Sequence, residues 1–171
     1  MVNWSIIKSG GPGLSVQKIY GRVSPGVPYK IPHYKREEYE IAIRWLMYYA
    51  PNGKISFDWR LPVRHVPSEI RGDPKLEAAW LHLKQERIDA VVETEEEIIL
   101  VEIKDVVRKS AIGQLLHYKR RFEEEYKPEK PIKLMIVAGE DDPEVRKTAE
   151  EEGIEVVVLG IPSRRKRILG F

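Results

Sequence analysis

A mixed α/β fold, with one sheet carrying helices on both faces, is what this 171-residue sequence predicts. Three observations carry the prediction. Helical periodicity and short β-branched runs follow one another in the order helix, hairpin, helix, strand, helix, strand. Two helices open with Asp-Pro, at Asp73-Pro74 and Asp142-Pro143, an N-cap followed by proline at the first helical position. Ile88 to Val92 and Ile98 to Val101, separated by the polar tract Glu93 to Glu97, read as the two strands of a hairpin.

The elements follow in order. Residues 1–33 form a basic arm rich in Gly and Pro (Gly10-Gly-Pro-Gly13, Ser24-Pro-Gly26, Pro28, Pro32), irregular apart from a short strand near Val16 to Tyr20. Residues 34–160 are expected to be the folded domain, and residues 161–171 a basic tail. A helix from Tyr34 to Ala50 is stopped by Pro51-Asn-Gly53. Ile55 to Val66 should be extended, with Pro62 demanding an edge or a break. An extra helix from Asp73-Pro74 to Gln85 precedes the hairpin. A helix from Ser110 to Tyr126, a buried strand from Ile132 to Ala138, a helix from Pro143 to Gly153 and a strand from Ile154 to Leu159 complete the domain.

Charge and composition narrow the function classes. Lys plus Arg (29) nearly balance Asp plus Glu (27), so net charge names no partner. The distribution is more informative. The first 36 residues hold six Lys/Arg and no acid, and the C-terminus carries Arg164-Arg-Lys-Arg167. Basic ends around an acidic middle suit a polyanion held by its backbone, although either end alone reads as a solvated tail. The absence of cysteine excludes disulfides, zinc–thiolate sites and Cys nucleophiles. No apolar run approaches the roughly 20 residues of a membrane span, and no signal peptide is visible, so a cytoplasmic protein without a membrane partner is expected. The 33% charged content is also what thermophile proteins show.

The hairpin concentrates the chemistry. If it turns about Glu95 and Glu96, residues whose numbers sum to 191 face each other, so Asp89 lies opposite Glu102. Lys104, two positions on, points to the same face. Opposed carboxylates repel, and a divalent metal between them would remove that cost. On the first helix, Ile41, Ala42, Trp45, Leu46 and Tyr49 share an apolar face, and Glu38 falls within that arc as either a cap or a site residue. On the helix after the hairpin, Ala111, Leu115, Phe122 and Tyr126 form the core stripe. Gln114 and Tyr118 flank it on an edge that could overlook Glu102 and Lys104. Gln114 could hold a water or a phosphate. Tyr118 could donate to a phosphate, although packing is its simpler role.

Asp89, thirteen positions, then Glu102-Ile103-Lys104, with Glu38 before and Gln114 after, resembles the PD-(D/E)xK nuclease superfamily. Within it the pattern is most similar to archaeal Holliday-junction resolvases and other restriction-endonuclease-like enzymes. The likeness spans Lys35 to Leu159, with two departures: Ile88 stands where the motif has proline, and residues 56–86 are longer than a compact resolvase needs. The resemblance implies a restriction-endonuclease-like α/β fold of αβββαβ type and an archaeal or viral source. It implies a Mg²⁺-dependent DNA endonuclease, with Mn²⁺ as substitute, acting on branched or structured DNA as a homodimer. Asp89, Glu102 and the Ile103 carbonyl would hold the metal, and Glu38 would assist through a water or a second ion. Lys104 would orient or deprotonate the attacking water or, more safely, neutralise developing charge. Arg87, paired near Lys104 across the hairpin, would contact phosphate, as would Lys109, Tyr118, Arg120 and Arg121.

Other chemistries find no support. His33, His65, His82 and His117 are scattered without metal-ligand spacing, with His117 expected at the surface. Gly10-Gly-Pro-Gly13 lacks the Lys-Ser/Thr of a phosphate loop, so no nucleotide cofactor is expected, and no serine sits in a nucleophile elbow. Trp45 and Trp80 fall in apolar helical patterns and should be core. Two rivals remain: a non-catalytic nucleic-acid-binding module of the same fold within a larger assembly, and a plain doubly wound domain with a small-molecule role.

Overall fold

A computed structural model of the chain describes residues 35–163 in full and residues 14–19 and 22–23 as backbone. The rest of the basic arm and residues 164–171 of the tail lie outside the described residues. The strands are β1 (Leu14–Ile19), β2 (Arg22–Val23), β3 (Gly53–Arg60), β4 (Arg87–Glu93), β5 (Ile98–Val106), β6 (Ile132–Glu140) and β7 (Ile154–Val158). The helices are α1 (Arg36–Tyr48), α2 (Pro74–Lys84), α3 (Lys109–Tyr126) and α4 (Pro143–Glu151), with a 3₁₀ turn at Ser68–Ile70. One sheet runs β2-β1-β3-β4-β5-β6-β7, antiparallel from β2 to β5 and parallel from β5 to β7. The chain is therefore α/β with a mixed sheet. The order α1-β3-β4-β5-α3-β6, with α2 inserted before the hairpin, matches the predicted sequence of elements.

Local chemistry explains the boundaries. Asp73 caps α2, accepting from the Lys75 and Leu76 amides at 3.0 and 3.2 Å, and Asp142 caps α4 through the Val145 amide at 3.2 Å. The hairpin turns where predicted: Thr94 Oγ1 accepts from the Glu96 and Glu97 amides, and the Thr94 amide donates to the Glu97 carbonyl. The sheet buries both faces. On one, Ile41, Ala42, Trp45 and Leu46 of α1 pack on Ile55, Phe57, Val92, Val101, Ile103 and Val137. On the other, Ala111, Leu115, Phe122 and Tyr126 of α3 and Val145 of α4 pack on Trp59, Ile88, Leu100 and Ile136. Trp59, Phe122 and Tyr126 cluster there, with the Trp59 indole donating to the Tyr126 hydroxyl at 3.3 Å. Among the described residues no helix is long and apolar enough to cross a membrane.

Three expectations are refined. The extended stretch from Ile55 to Val66 is strand only to Arg60: the Leu61 amide still bonds the Glu86 carbonyl at 3.0 Å, and Pro62, with no amide to donate, makes the break expected there. Trp80 is not core: α2 contributes no buried residue, and the Trp80 indole donates to the His65 carbonyl at 2.8 Å, pinning the preceding loop. The arm's expected strand is β1, starting two residues earlier and followed by the unforeseen β2.

Gly139 is a tight crossing. A methyl group there would stand 2.6 Å from the Ile161 carbonyl oxygen and 2.9 Å from that of Asp105. Gly139→Ala must push apart the end of β5 and the strap that follows β7. We expect it to lower stability by about 1–3 kcal/mol, read as a lower urea midpoint at unchanged slope; an unchanged midpoint would refute the crossing.

Candidate active site

The site is a fork in the sheet. The β4–β5 ladder runs from Glu93↔Ile98 to Ala90↔Val101 in the predicted register and stops there. β4 nevertheless continues beside β3 to Arg60↔Arg87, and β5 continues beside β6 to Val106↔Glu140. Arg87 to Asp89 and Glu102 to Val106 thus form two prongs without backbone pairing between them. Asp89 bridges them, its Oδ2 accepting from the Ile103 amide at 2.7 Å. The cause is a twist shared by β3 and β4. Phe57 and Trp59 lie in opposite cores, as do Ile88 and Ala90, although residues two apart in a regular strand share a face. Between them Asp58 is buried at φ 54°, a conformation L side chains seldom adopt.

The fork gathers charge. Glu102 is only 2% exposed; its Oε1 receives the Lys104 ammonium at 2.5 Å, and its Oε2 is buried with no hydrogen-bond partner among the described residues. Burial raises the Glu102 carboxyl above the ordinary range against the pull of Lys104, and Glu38 adds to the rise. Burial, then the Glu102 charge, pushes Asp89 up to about 8, although Lys104 and the Ile103 amide act the other way. Burial pulls Lys104 down, but Glu102 and Asp89 more than offset it and leave the ammonium above its ordinary value. Lys104 is therefore cationic at neutral pH, which favours an electrostatic role over that of a general base.

The remaining predicted residues divide. Glu38 sits at the start of α1 and takes the capping alternative. Its carboxylate accepts from the Lys35 amide at 3.1 Å, and its charge acts on Asp89, Glu102 and Lys104. The Ile103 side chain belongs to the core on the α1 side. The Gln114 amide donates to the Tyr118 hydroxyl at 3.4 Å. Tyr118 is a packing residue at 8% exposure; burial and then the Glu102 charge push its hydroxyl up to about 12, so it stays a donor. Among the described residues no three His, Asp or Glu side chains are gathered as an ion would need, so the assembled group is Asp89, Glu102 and Lys104.

Two of the basic residues, Arg87 and Arg121, need correction. Arg87 does not pair across to Lys104, because the ladder ends first; its cross-strand partner is Arg60 and its nearest acid is Asp58, at 3.8 Å. Arg121 is a structural pin, donating to Glu86 at 2.6 Å and to the Pro62 carbonyl at 2.7 Å. Arg120 is exposed and paired with Glu124 at 3.0 Å, and Lys109 is exposed at the start of α3. His117 is half-exposed as expected, with Glu86 at 2.8 Å. Sequence reasoning missed Asp58, since Ile55, Phe57 and Trp59 alternate as one strand face and nothing in that pattern signals the inversion.

Comparison with known proteins adds no relative: no family model, no curated protein and no solved structure matches the chain.

The raised Asp89 carboxyl has a signed consequence. The fold prefers its protonated form, so Asp89 costs stability increasingly as pH rises from the ordinary value of 3.8 through about 8. Asp89→Asn keeps an oxygen for the Ile103 amide and removes the charge. In EDTA the variant should melt above wild type at pH 8, with the difference shrinking towards pH 4. A difference independent of pH would show that Asp89 carries no such penalty.

Proposed function

We propose that this chain is a Mg²⁺-dependent DNA endonuclease of restriction-endonuclease-like fold, hydrolysing phosphodiester bonds in branched or structured DNA as a homodimer. One observation carries the reading: two mutually repelling carboxyls, Asp89 and Glu102, stand at a fork in the sheet, and Glu102 has Lys104 against one oxygen and, among the described residues, no partner for its other, buried oxygen. Proteins keep such a penalty where it serves chemistry. The donor set fits a hard divalent cation, which would give Glu102 Oε2 its missing partner and neutralise the Asp89–Glu102 repulsion.

In this reading Asp89 and Glu102, with the Ile103 carbonyl, hold the ion. Mg²⁺ or Mn²⁺ supplies charge neutralisation at the scissile phosphate and an activated water at neutral pH. Lys104 remains protonated and stabilises charge developing on the phosphate oxygens. Glu38 supports the cluster from α1, and Gln114 and the Tyr118 hydroxyl offer polar groups on the α3 side. Lys109 and Arg120, both exposed, remain candidates for backbone contacts. The exposed Leu76, Leu81 and Leu83 on α2, a helix with no buried residue, offer surface for self-association.

A second reading, a nucleic-acid-binding module without catalysis, is favoured by one feature: Glu38 is engaged at its own helix start, leaving two acids at the fork. Cleavage assays on plasmid, four-way junction, flap and single-stranded DNA with Mg²⁺, Mn²⁺ or EDTA separate the two. The nuclease reading expects metal-dependent cutting that Glu102→Ala lowers on the order of 100-fold or more, with DNA binding near wild type. It also expects Mg²⁺ to raise the melting temperature of wild type but not of Glu102→Ala. Binding without any cutting would establish the module.

A further inference from the structure

We infer that Arg60 and Arg87, braced by Asp58, form a phosphate-binding subsite at the tip of the β4 prong that grips the nucleic-acid backbone beside Asp89 and Glu102. The inference rests on the nucleic-acid reading above and adds a site to it. Arg60 and Arg87 are direct cross-strand partners at the end of the β3–β4 ladder, and like charges so placed repel. The one acid between them serves both loosely: Asp58 Oδ2 lies 3.4 Å from Arg60 Nη2, and Oδ1 lies 3.8 Å from Arg87 Nε. Charge-assisted hydrogen bonds close to about 2.7–2.9 Å. Arginines that pin this fold reach that range: Arg121 stands 2.6 Å from Glu86, Arg64 2.7 Å from Glu124 and Arg108 2.8 Å from Asp105. Arg87 Nε is buried and, among the described residues, has no hydrogen-bond partner; Arg121 Nε is also unpartnered, but Arg121 spends its terminal nitrogens on Glu86 and the Pro62 carbonyl.

The trio therefore carries one positive charge more than it neutralises, with donors left over. Arg60 is 46% exposed along its side chain and Arg87 23%, so an anion can reach them from solvent. Asp58 is buried, and its left-handed backbone is the point where β3 and β4 change faces. Such conformations persist where surrounding structure enforces them, and they cluster at working sites. Arg87 precedes Asp89 by two residues, about 7 Å along a strand, so a phosphate held at the prong tip lies along the same backbone as one at the fork. A phosphodiester, presenting oxygens to two planar guanidinium groups, is the anion this geometry suits.

The test is the salt dependence of DNA binding, measured by fluorescence anisotropy in EDTA so that no strand is cut. Arg60→Gln and Arg87→Gln should each reduce the slope of log affinity against log salt by about 0.9. Lys147→Gln, an exposed position on the outer face of α4, should leave the slope unchanged. Asp58→Asn keeps both positive charges, so its slope should stay at the wild-type value while KM for cleavage rises. Arg60, being exposed, keeps the test decisive if Arg87→Gln folds poorly. Unchanged slopes for Arg60→Gln with cleavage intact would overturn the subsite and leave the nuclease reading standing. No DNA binding by wild type would overturn both.

Discussion

The hydrogen bond from the Ile103 amide to Asp89 Oδ2 is the contact on which the organisation of this molecule turns. It stands where a backbone ladder would otherwise continue, and it spans the prongs opened by the end of pairing at Ala90↔Val101. A backbone bond at that level would zip β4 to β5 and close the gap. A side-chain oxygen satisfies the buried amide while keeping the strands apart, so the sheet remains polar-satisfied and still forked.

The fork is costly ground held by ordinary ground. Asp89 and Glu102 each favour protonation in the fold, and Glu102 carries a buried oxygen without a partner among the described residues. Those penalties are tolerated because both faces of the sheet are closed by continuous apolar packing, α1 on one side and α3 with α4 on the other. Two of those three helices also bring polar groups within electrostatic reach of the fork, Glu38 from α1 and the Tyr118 hydroxyl, bonded to Gln114, from α3. Scaffold and site are thus one construction: the helices that bury the sheet also aim groups at the place where it opens.

The excursion between β3 and β4 follows a different rule. Residues 61–86 leave the sheet, expose the leucines of α2 and return, held mainly by polar pins. Arg121 grips Glu86 and the Pro62 carbonyl, Arg64 reaches Glu124, Gln85 donates to the Leu61 carbonyl and Trp80 to that of His65. Polar pins of this kind orient a segment without burying it, which suits a surface that meets something else.

Much of this was legible in the order of residues. The two Asp-Pro starts, the α1 and α3 stripes and the hairpin register all follow from local periodicity and capping, which depend on neighbours a few positions apart. The approach of Asp89 to Glu102 and Lys104 was legible only in part: the register at the turn is arithmetic, but the expected Asp89–Glu102 cross-strand pair lies beyond the last rung, Ala90↔Val101, and Asp89 meets the Ile103 amide instead. Pairing across long separations was beyond that arithmetic. Only the tertiary structure decided that the ladder stops at Ala90, that Asp58 turns both strands over, that Arg87 faces Arg60 rather than Lys104, and that α2 stays unburied. Each of these depends on which surfaces remain free once the sheet has formed, and period alone carries no information about that.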